Sequence, residues 1–389
     1  MTELFHRSLA REIIRLKDKF PILAVTGPRQ SGKTTLLKSL FPDFTYVSLE
    51  DFDNRTFAEQ DPKGFLQKYS EKTIFDEVQR VPALFSYLQT TVDASGQMGQ
   101  FILSGSQNFH LLKSITQSLA GRVALFKLLP LDNDELADAG LLPDHYTKAC
   151  IHGAYPAIYH REINPLDYYA SYVQTYIEKD VTELVNIHDM QTFRTFLGLC
   201  AGRAGQLLNL SALANECDIS QPTAKSWLSI LESSYIVFLL HPYHENFSKR
   251  LVKTPKLYFY DTGLLSFLLE ISTPDDLLTN RLKGNIFENM IIANFIKVNA
   301  HRYLHRHYYF WQDHRGLEVD LLRKTGSDFE VYEIKSTQTV THELFKGLQN
   351  FSNIAQPNIV HPFLVYGGDD HYVRSNVQVL GWKDANGIL

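Results

Sequence analysis

Apolar positions recur along this chain with two different periods, and the changes of period divide it. Over residues 4–20 they fall three and four apart, with Leu9, Ile13 and Leu16 on one stripe, which predicts an amphipathic helix. The unbroken run Ile22-Leu23-Ala24-Val25 follows, then a Gly-rich turn and a second helical stretch over residues 33–40. Short apolar strands are expected at 45–49, 73–75, 100–104 and 124–127, separated by helical or loop stretches. Strands that alternate with helices predict a parallel sheet covered on both faces. This block ends near Gly140.

The pattern then turns helical and aromatic over 146–205, where the tyrosines from Tyr155 to Tyr176 read as core. Short helices with a turn between them follow over 207–240, then a strand over 252–260. Past about residue 280 a second α/β block begins, with a helix at 286–298 and strands at 308–311, 318–323, 329–335 and 362–366. The expected organisation is therefore α/β in four parts: 1–145, a helical connector at 146–205, a unit at 206–275, and 280–389. A chain of 389 residues is too long for one ordinary core, in keeping with that division. No apolar run reaches the roughly 18 residues of a membrane helix. The first twenty residues lack the apolar core of a signal peptide, and Cys150, Cys200 and Cys217 show no CxxC spacing, so a cytoplasmic protein is expected.

The turn after the first strand carries candidate chemistry. Gly27-Pro28-Arg29-Gln30-Ser31-Gly32-Lys33-Thr34 fits GxxxxGK[ST], after a strand and opening a helix as that pattern requires. Its glycines let backbone N–H groups wrap phosphate oxygens, and the helix turns its positive end to them. Gly27 through Thr35 are thus expected to bind a nucleotide, with Lys33 on the β- and γ-phosphates and the Thr34 hydroxyl on Mg²⁺. Thr73-Ile74-Phe75-Asp76-Glu77 ends a strand in two carboxylates: Asp76 is expected to hold Mg²⁺ and Glu77 to polarise the attacking water. Another strand runs into Ser104-Gly105-Ser106-Gln107, where Ser106 is the candidate γ-phosphate sensor. Arg122 is expected to offset charge on the γ-phosphate, from its own chain or from a neighbouring subunit of a homo-oligomer. The absence of an NKxD-type guanine reader favours ATP over GTP.

This order of GxxxxGKT, strand-end Asp-Glu, Gly-Ser strand and Ala120-Gly121-Arg122 resembles a large group of prokaryotic AAA+-like P-loop ATPases with a C-terminal domain of unknown function. Tyr258-Phe259-Tyr260-Asp261-Thr262-Gly263-Leu264 also resembles a segment of that group. The resemblance covers essentially the whole chain and implies an AAA+/RecA-like N-terminal sheet and use of ATP.

Residues 206–275 read as a winged helix. Asn209-Leu210-Ser211 opens one helix with a Ser cap, Asp218-Ile219-Ser220 makes the turn, and a second helix runs over 221–232. If it meets DNA, Gln221, Thr223, Lys225 and Ser226 are the readers, with Lys249 and Arg250 on the wing. The net charge of −5 offers no global case for nucleic acid, so the argument rests on local basic clusters: Lys249, Arg250, Lys253 and Lys256, and Arg302, Arg306 and Arg315. The competing role is a lid or interface. His301, His305 and His307 are expected to form a solvated patch rather than a metal site.

In the last block Asp320 lies on one strand and Glu333-Ile334-Lys335 on the next. Residues two apart share a face, so Asp320, Glu333 and Lys335 can meet, and Glu288 on the preceding helix can join them. This resembles the PD-(D/E)XK nuclease fold, which implies a Mg²⁺ or Mn²⁺ ion held by Glu288, Asp320 and Glu333, with Lys335 on the attacking water. No Pro precedes Asp320. These readings together expect an ATP-hydrolysing protein that engages DNA and cuts it with a metal. The alternative is an ATP-driven switch or scaffold whose nuclease-like domain is inert. Lys335 favours cleavage, and the weak basic surface favours the scaffold. Nothing beyond the P-loop resembles the acceptor pocket of a small-molecule kinase.

Overall fold

The computed structural model describes residues 5–106, 118–177, 190–243 and 252–385. Helix α1 (Leu9–Lys17) leads into strand β1 (Ile22–Thr26), and six residues separate that strand from helix α2 (Lys33–Leu40). There follow β2 (Thr45–Ser48), α3 (Phe52–Gln60), α4 (Pro62–Lys68), β3 (Thr73–Asp76), α5 (Leu84–Ser95), β4 (Phe101–Gly105) and β5 (Val123–Lys127). The five strands form one parallel sheet in the order β2-β3-β4-β1-β5, so all their C-terminal ends lie along one edge. Alternation along β1 sends Ile22 and Ala24 into one core and Leu23 and Val25 into another, as a sheet covered on both faces requires. The expected α/β class and parallel N-terminal sheet are what the structure has.

Helix α6 (Asn133–Asp138) follows β5, and the connector contains α7 (Tyr146–His152), α8 (Pro156–His160), α9 (Pro165–Tyr172) and α10 (Met190–Ala201). Next come β6 (Gln206–Leu207), α11 (Leu210–Glu216), α12 (Gln221–Ser233), β7 (Val237–Leu240) and β8 (Lys256–Phe259), whose strands form an antiparallel sheet ordered β6-β8-β7. Helix α11 is capped by the Asn209 side chain, not by Ser211, and Ser220 caps α12. Lys249 and Arg250 lie outside the described residues.

After α13 (Thr262–Leu268) and α14 (Pro274–Thr279), helix α15 runs from Lys283 to His301, longer at both ends than its sequence pattern predicts. The remaining elements are β9 (Tyr308–Gln312), β10 (Glu318–Thr325), β11 (Asp328–Lys335), α16 (Lys346–Ile354), β12 (Val360–Tyr366), β13 (Tyr372–Arg374) and β14 (Val377–Gly381). They build a six-stranded sheet ordered β13-β14-β12-β11-β10-β9; β13 and β14 have no counterpart in the sequence reading. One core runs without a break from Tyr146 of the connector to Trp382 of the last sheet, so the middle and C-terminal parts are packed as one body.

Candidate functional sites at two sheet edges

The Gly-rich loop leaves β1 at the C-terminal edge of the parallel sheet. A side chain on Gly27 (φ +151) would fall 2.0 Å from the Leu128 carbonyl oxygen, so only glycine fits where β1 and β5 release the chain. Lys33 is 6% exposed, and its ammonium donates to the carbonyls of Gly27 (2.9 Å) and Pro28 (2.8 Å). The Ser31 hydroxyl is buried without a hydrogen-bond partner among the described residues. The Thr34 hydroxyl donates to Asp76 Oδ2 at 2.8 Å, which brings the two expected Mg²⁺ ligands together across the loop and β3. Asp76 also accepts from Tyr46 (2.7 Å) and from Ser104, neither singled out in the sequence. Burial and the Asp76 carboxylate push the Tyr46 hydroxyl up, so it stays a donor.

Glu77 holds left-handed backbone angles (φ 54°, ψ 40°), unusual for a non-glycine residue and costing about 1–3 kcal/mol. Its Oε2 accepts from Ser106 Oγ at 3.0 Å and from the Gln79 amide, so Ser106 reaches the site through Glu77. Arg29, Gln30, Gly32, Lys33, Thr34, Thr35 and Glu77 line a cavity of about 510 Å³. Its other wall was not legible in the sequence: Phe5 and Arg7 come from the N-terminal segment, Pro156, Ala157, His160 and Arg161 from α8 and its end, and Tyr176 from after α9. Arg122 is not brought to the site of its own chain. It sits before β5 at the opposite sheet edge, roughly 16 Å away by the rise of five strand residues, and grips Asp93 with two nitrogens.

At the second edge the structure draws Asp320, Glu333 and Lys335 together. The Lys335 ammonium lies 3.1 Å from Asp320 Oδ2 and 2.7 Å from Glu333 Oε1, and Asp320 also accepts from the Ile334 N–H at 2.8 Å. Strict alternation does not place Asp320. The β9–β10 register shifts between Val319 and Leu322, so both of these enter one core while Leu321 enters the other. Such a bulge re-aims a side chain. Glu288 lies near enough to Asp320 for their charges to interact, and it also accepts from Tyr258 (2.6 Å) and pairs with Lys256 (3.2 Å), which bridges Glu318 as well. Among the described residues, Glu288, Asp320 and Glu333 do not bring three ligand atoms within 4.8 Å of one another. Lys256 is thus a buried ion-pair residue and not part of a solvent-facing basic strip.

Each lysine faces two carboxylates, Lys256 those of Glu288 and Glu318, Lys335 those of Asp320 and Glu333. Burial, with Asp320 nearby, raises Glu288 to about 7 and Glu333 to about 8. Burial alone pulls both lysines down, but the surrounding carboxylates outweigh it and keep them charged. Glu333 Oε2 is buried without a partner among the described residues.

Between the two edges, Gln221, Lys225 and Ser226 are exposed on α12 and Thr223 is half-buried beside its cap. The histidines separate: His305 and His307 are exposed, but His301 is fully buried, because the buried face of α15 continues through Lys297 and Val298 to it. Its Nδ1 lies 2.7 Å from Asp132 Oδ2, so the expectation of a solvated patch fails there.

Three family models match successive parts of the chain: an AAA domain over residues 19–137, a domain of unknown function (DUF8612) over 143–275, and another (DUF4143) over 283–384. An uncharacterized protein of Mycobacterium tuberculosis is 30% identical over 378 residues, covering 96% of this chain and 82% of its own, and one of Mycobacterium bovis matches equally. Among solved structures, a Walker-type ATPase of Pyrococcus abyssi aligns at 13% identity and a TM-score of 0.47, over 68% of this chain and 96% of its own. Among the described residues no helix is long and apolar enough to cross a membrane. The chain belongs to the same family as the two mycobacterial proteins, and its N-terminal part is an AAA-type, P-loop ATPase-like domain.

Proposed function

We propose that this protein binds ATP with Mg²⁺ in the cavity over the Gly27–Thr34 loop and hydrolyses it. The observation that carries the reading is the meeting of Lys33, Thr34, Asp76 and Glu77 at one sheet edge, beside a buried Ser31 hydroxyl that lacks a partner. A hydroxyl and a carboxylate 2.8 Å apart are hard oxygen donors that suit Mg²⁺. The bound ion would neutralise charge on the phosphate oxygens. Lys33 exchanges its two loop carbonyls for phosphate oxygens, and the loop amides cradle them. Glu77, fixed by Ser106 and Gln79, orients the attacking water and accepts its proton. Calorimetric titration with ATP and Mg²⁺, followed by phosphate-release assays, tests this; no heat of binding at millimolar ATP rejects it.

A second reading concerns the other edge: metal-dependent cleavage of nucleic acid by Asp320, Glu333 and Lys335. It is favoured by the unpartnered Glu333 Oε2, an oxygen that a cation would satisfy. Asp320 and Glu333 would hold Mg²⁺ or Mn²⁺, with Glu288 retained by Lys256 and Tyr258. Lys335 holds a water for attack. The exposed start of α12, with Gln221, Lys225 and Ser226, is the face we assign to DNA; Lys249 and Arg250, outside the described residues, are the further basic residues the sequence offers for it. Plasmid and linear DNA incubated with Mg²⁺ or Mn²⁺, with and without ATP, tests cleavage. A salt series with the Lys225, Lys249 and Arg250 triple alanine variant tests contact. Intact DNA throughout leaves the ATP-driven switch or scaffold.

A further inference from the structure

The N-terminal segment supplies one side chain whose place the nucleotide chemistry above does not use. Arg7 is 5% exposed, and its guanidinium touches four partners from three parts of the chain. Nη1 donates to the Ser31 carbonyl at 2.7 Å, Nη2 to the Leu129 carbonyl at 2.6 Å, and Nε to Glu135 Oε1 at 3.1 Å. Nη2 also lies 3.4 Å from His301 Nε2.

The bond to Ser31 matters because a trans peptide is rigid and its C=O and N–H point opposite ways. Holding the Ser31 oxygen on the Arg7 side turns the N–H of Gly32, a residue that lines the cavity, away from Arg7. Gly32 sits at φ +93°, a backbone region with several competing options for glycine, so the orientation of this peptide needs an external hold. The same guanidinium ties the loop to Leu129, one residue beyond the carbonyl that packs on Gly27. A planar fork can serve these diverging acceptors at once, and a lysine ammonium cannot do so with the same geometry.

Arg7 is in turn held by the far end of the chain. His301 Nε2 accepts from the Leu129 N–H at 3.2 Å, so that nitrogen carries no proton, and Nδ1–H donates to Asp132. Glu135 accepts from Arg7, from the Ser8 N–H (2.8 Å) and from the Asp132 N–H (3.2 Å). Asp132, Glu135 and His301 do bring ligand atoms within 4.8 Å of one another. Both ring nitrogens and both Glu135 oxygens are already engaged, however, and a guanidinium occupies the cluster, so it is a hydrogen-bonded clamp and not a cation site.

We propose that Arg7 is a positioning residue of the nucleotide site: it presets the Gly32 amide toward the phosphates and is itself fixed by His301 at the C-terminal end of α15. The proposal rests on the ATP reading. An amide that meets phosphate equally in the ground and transition states affects KM and leaves kcat alone. A purely structural arginine would instead lower the melting temperature and the active fraction with KM unchanged.

The test compares wild type with Arg7→Gln, Arg7→Lys and His301→Phe, using ATP with Mg²⁺ as the probe. Kd by calorimetry, KM, kcat and the nucleotide-free melting temperature are measured on each. Arg7→Gln should raise Kd and KM about tenfold with kcat within about twofold. Arg7→Lys should recover part of that loss, and His301→Phe should shift KM the same way by roughly threefold. If Arg7→Gln does not fold, the other two variants carry the same comparison. Wild-type Kd and KM in the folded Arg7 and His301 variants overturn this inference alone. A wild-type protein that binds no ATP overturns the ATP reading along with it.

Discussion

The two acidic sites solve the same electrostatic problem differently. At the N-terminal edge Asp76 and Glu77 are satisfied by neutral donors: the hydroxyls of Thr34, Tyr46, Ser104 and Ser106 and the amide of Gln79. At the C-terminal edge four carboxylates share two lysines. Neutral donors leave negative charge in place for an incoming cation and yield to it at little cost. Two lysines, with the protons that Glu288 and Glu333 retain, offset that charge in advance, so an ion entering the second site must displace an ammonium or a proton. Exposure divides the lysines further: the Lys335 side chain is 38% exposed and that of Lys256 only 5%. The Lys335 half can therefore rearrange, and the Lys256 half serves as a fixed pin between β8 and the last domain.

The sharpest way to break this contrast is Lys33→Ala. It removes the ammonium that bonds the Gly27 and Pro28 carbonyls of the loop, and ATP affinity should fall by about a hundredfold or more, as expected for a lost charge-assisted contact of about 3 kcal/mol. Unaltered calorimetry would take Lys33 out of the site. Acting on turnover and not on affinity, Glu77→Gln should keep ATP affinity while turnover falls by about 10²–10⁴-fold, the range of a lost general base. Wild-type turnover would return Glu77 to a structural role. Asp320→Ala and Lys335→Ala sharpen the comparison from the other side: each should abolish any divalent-dependent DNA cleavage and leave ATP hydrolysis within about twofold. A parallel fall in both activities would mean that the two edges act as one site.

The smallest effect is on pH dependence. The folded chain keeps Glu288 and Glu333 protonated up to about 7 and 8, whereas an unperturbed glutamate gives up its proton near 4.5. The stability these groups contribute is thus complete below about pH 4.5 and lost as pH rises through about 7 to 8. In chelator, the melting temperature should decline across that window, and Glu333→Gln should flatten the decline. An equal slope in the variant would show that Glu333 does not titrate there.

Local sequence carries the nucleotide edge because eight consecutive residues build the loop and two adjacent ones end β3. Alternation likewise assigns Glu333 and Lys335 to one strand face. What stays hidden is whatever arrives from far along the chain. Arg7 meets Ser31 across 24 positions, Leu129 across 122 and His301 across 294, and no spacing rule links such residues. Lys256 reads as one of a run of basic residues until β8 turns it inward against Glu288. His301 reads as surface because three histidines stand close in sequence, but the period of α15 buries the first. The bulge in β10 is hidden too, since an inserted residue shifts a pattern without marking it.

Helix α15 has a practical consequence for anyone who trims this chain. A fragment ending between residues 275 and 283 would keep the whole GxxxxGKT signature and look self-contained. It would also lose Asn294, Lys297 and His301, which close the Asn133 N–H, the Leu131 carbonyl and the Asp132 carboxylate, and Tyr303, whose ring packs 5.1 Å from Phe126. Those groups would be left as a raw, half-polar wound on the truncated piece, prone to stick to other copies. The nucleotide unit is separable by its motif and inseparable by its surface, so it is best expressed with the helix that seals it.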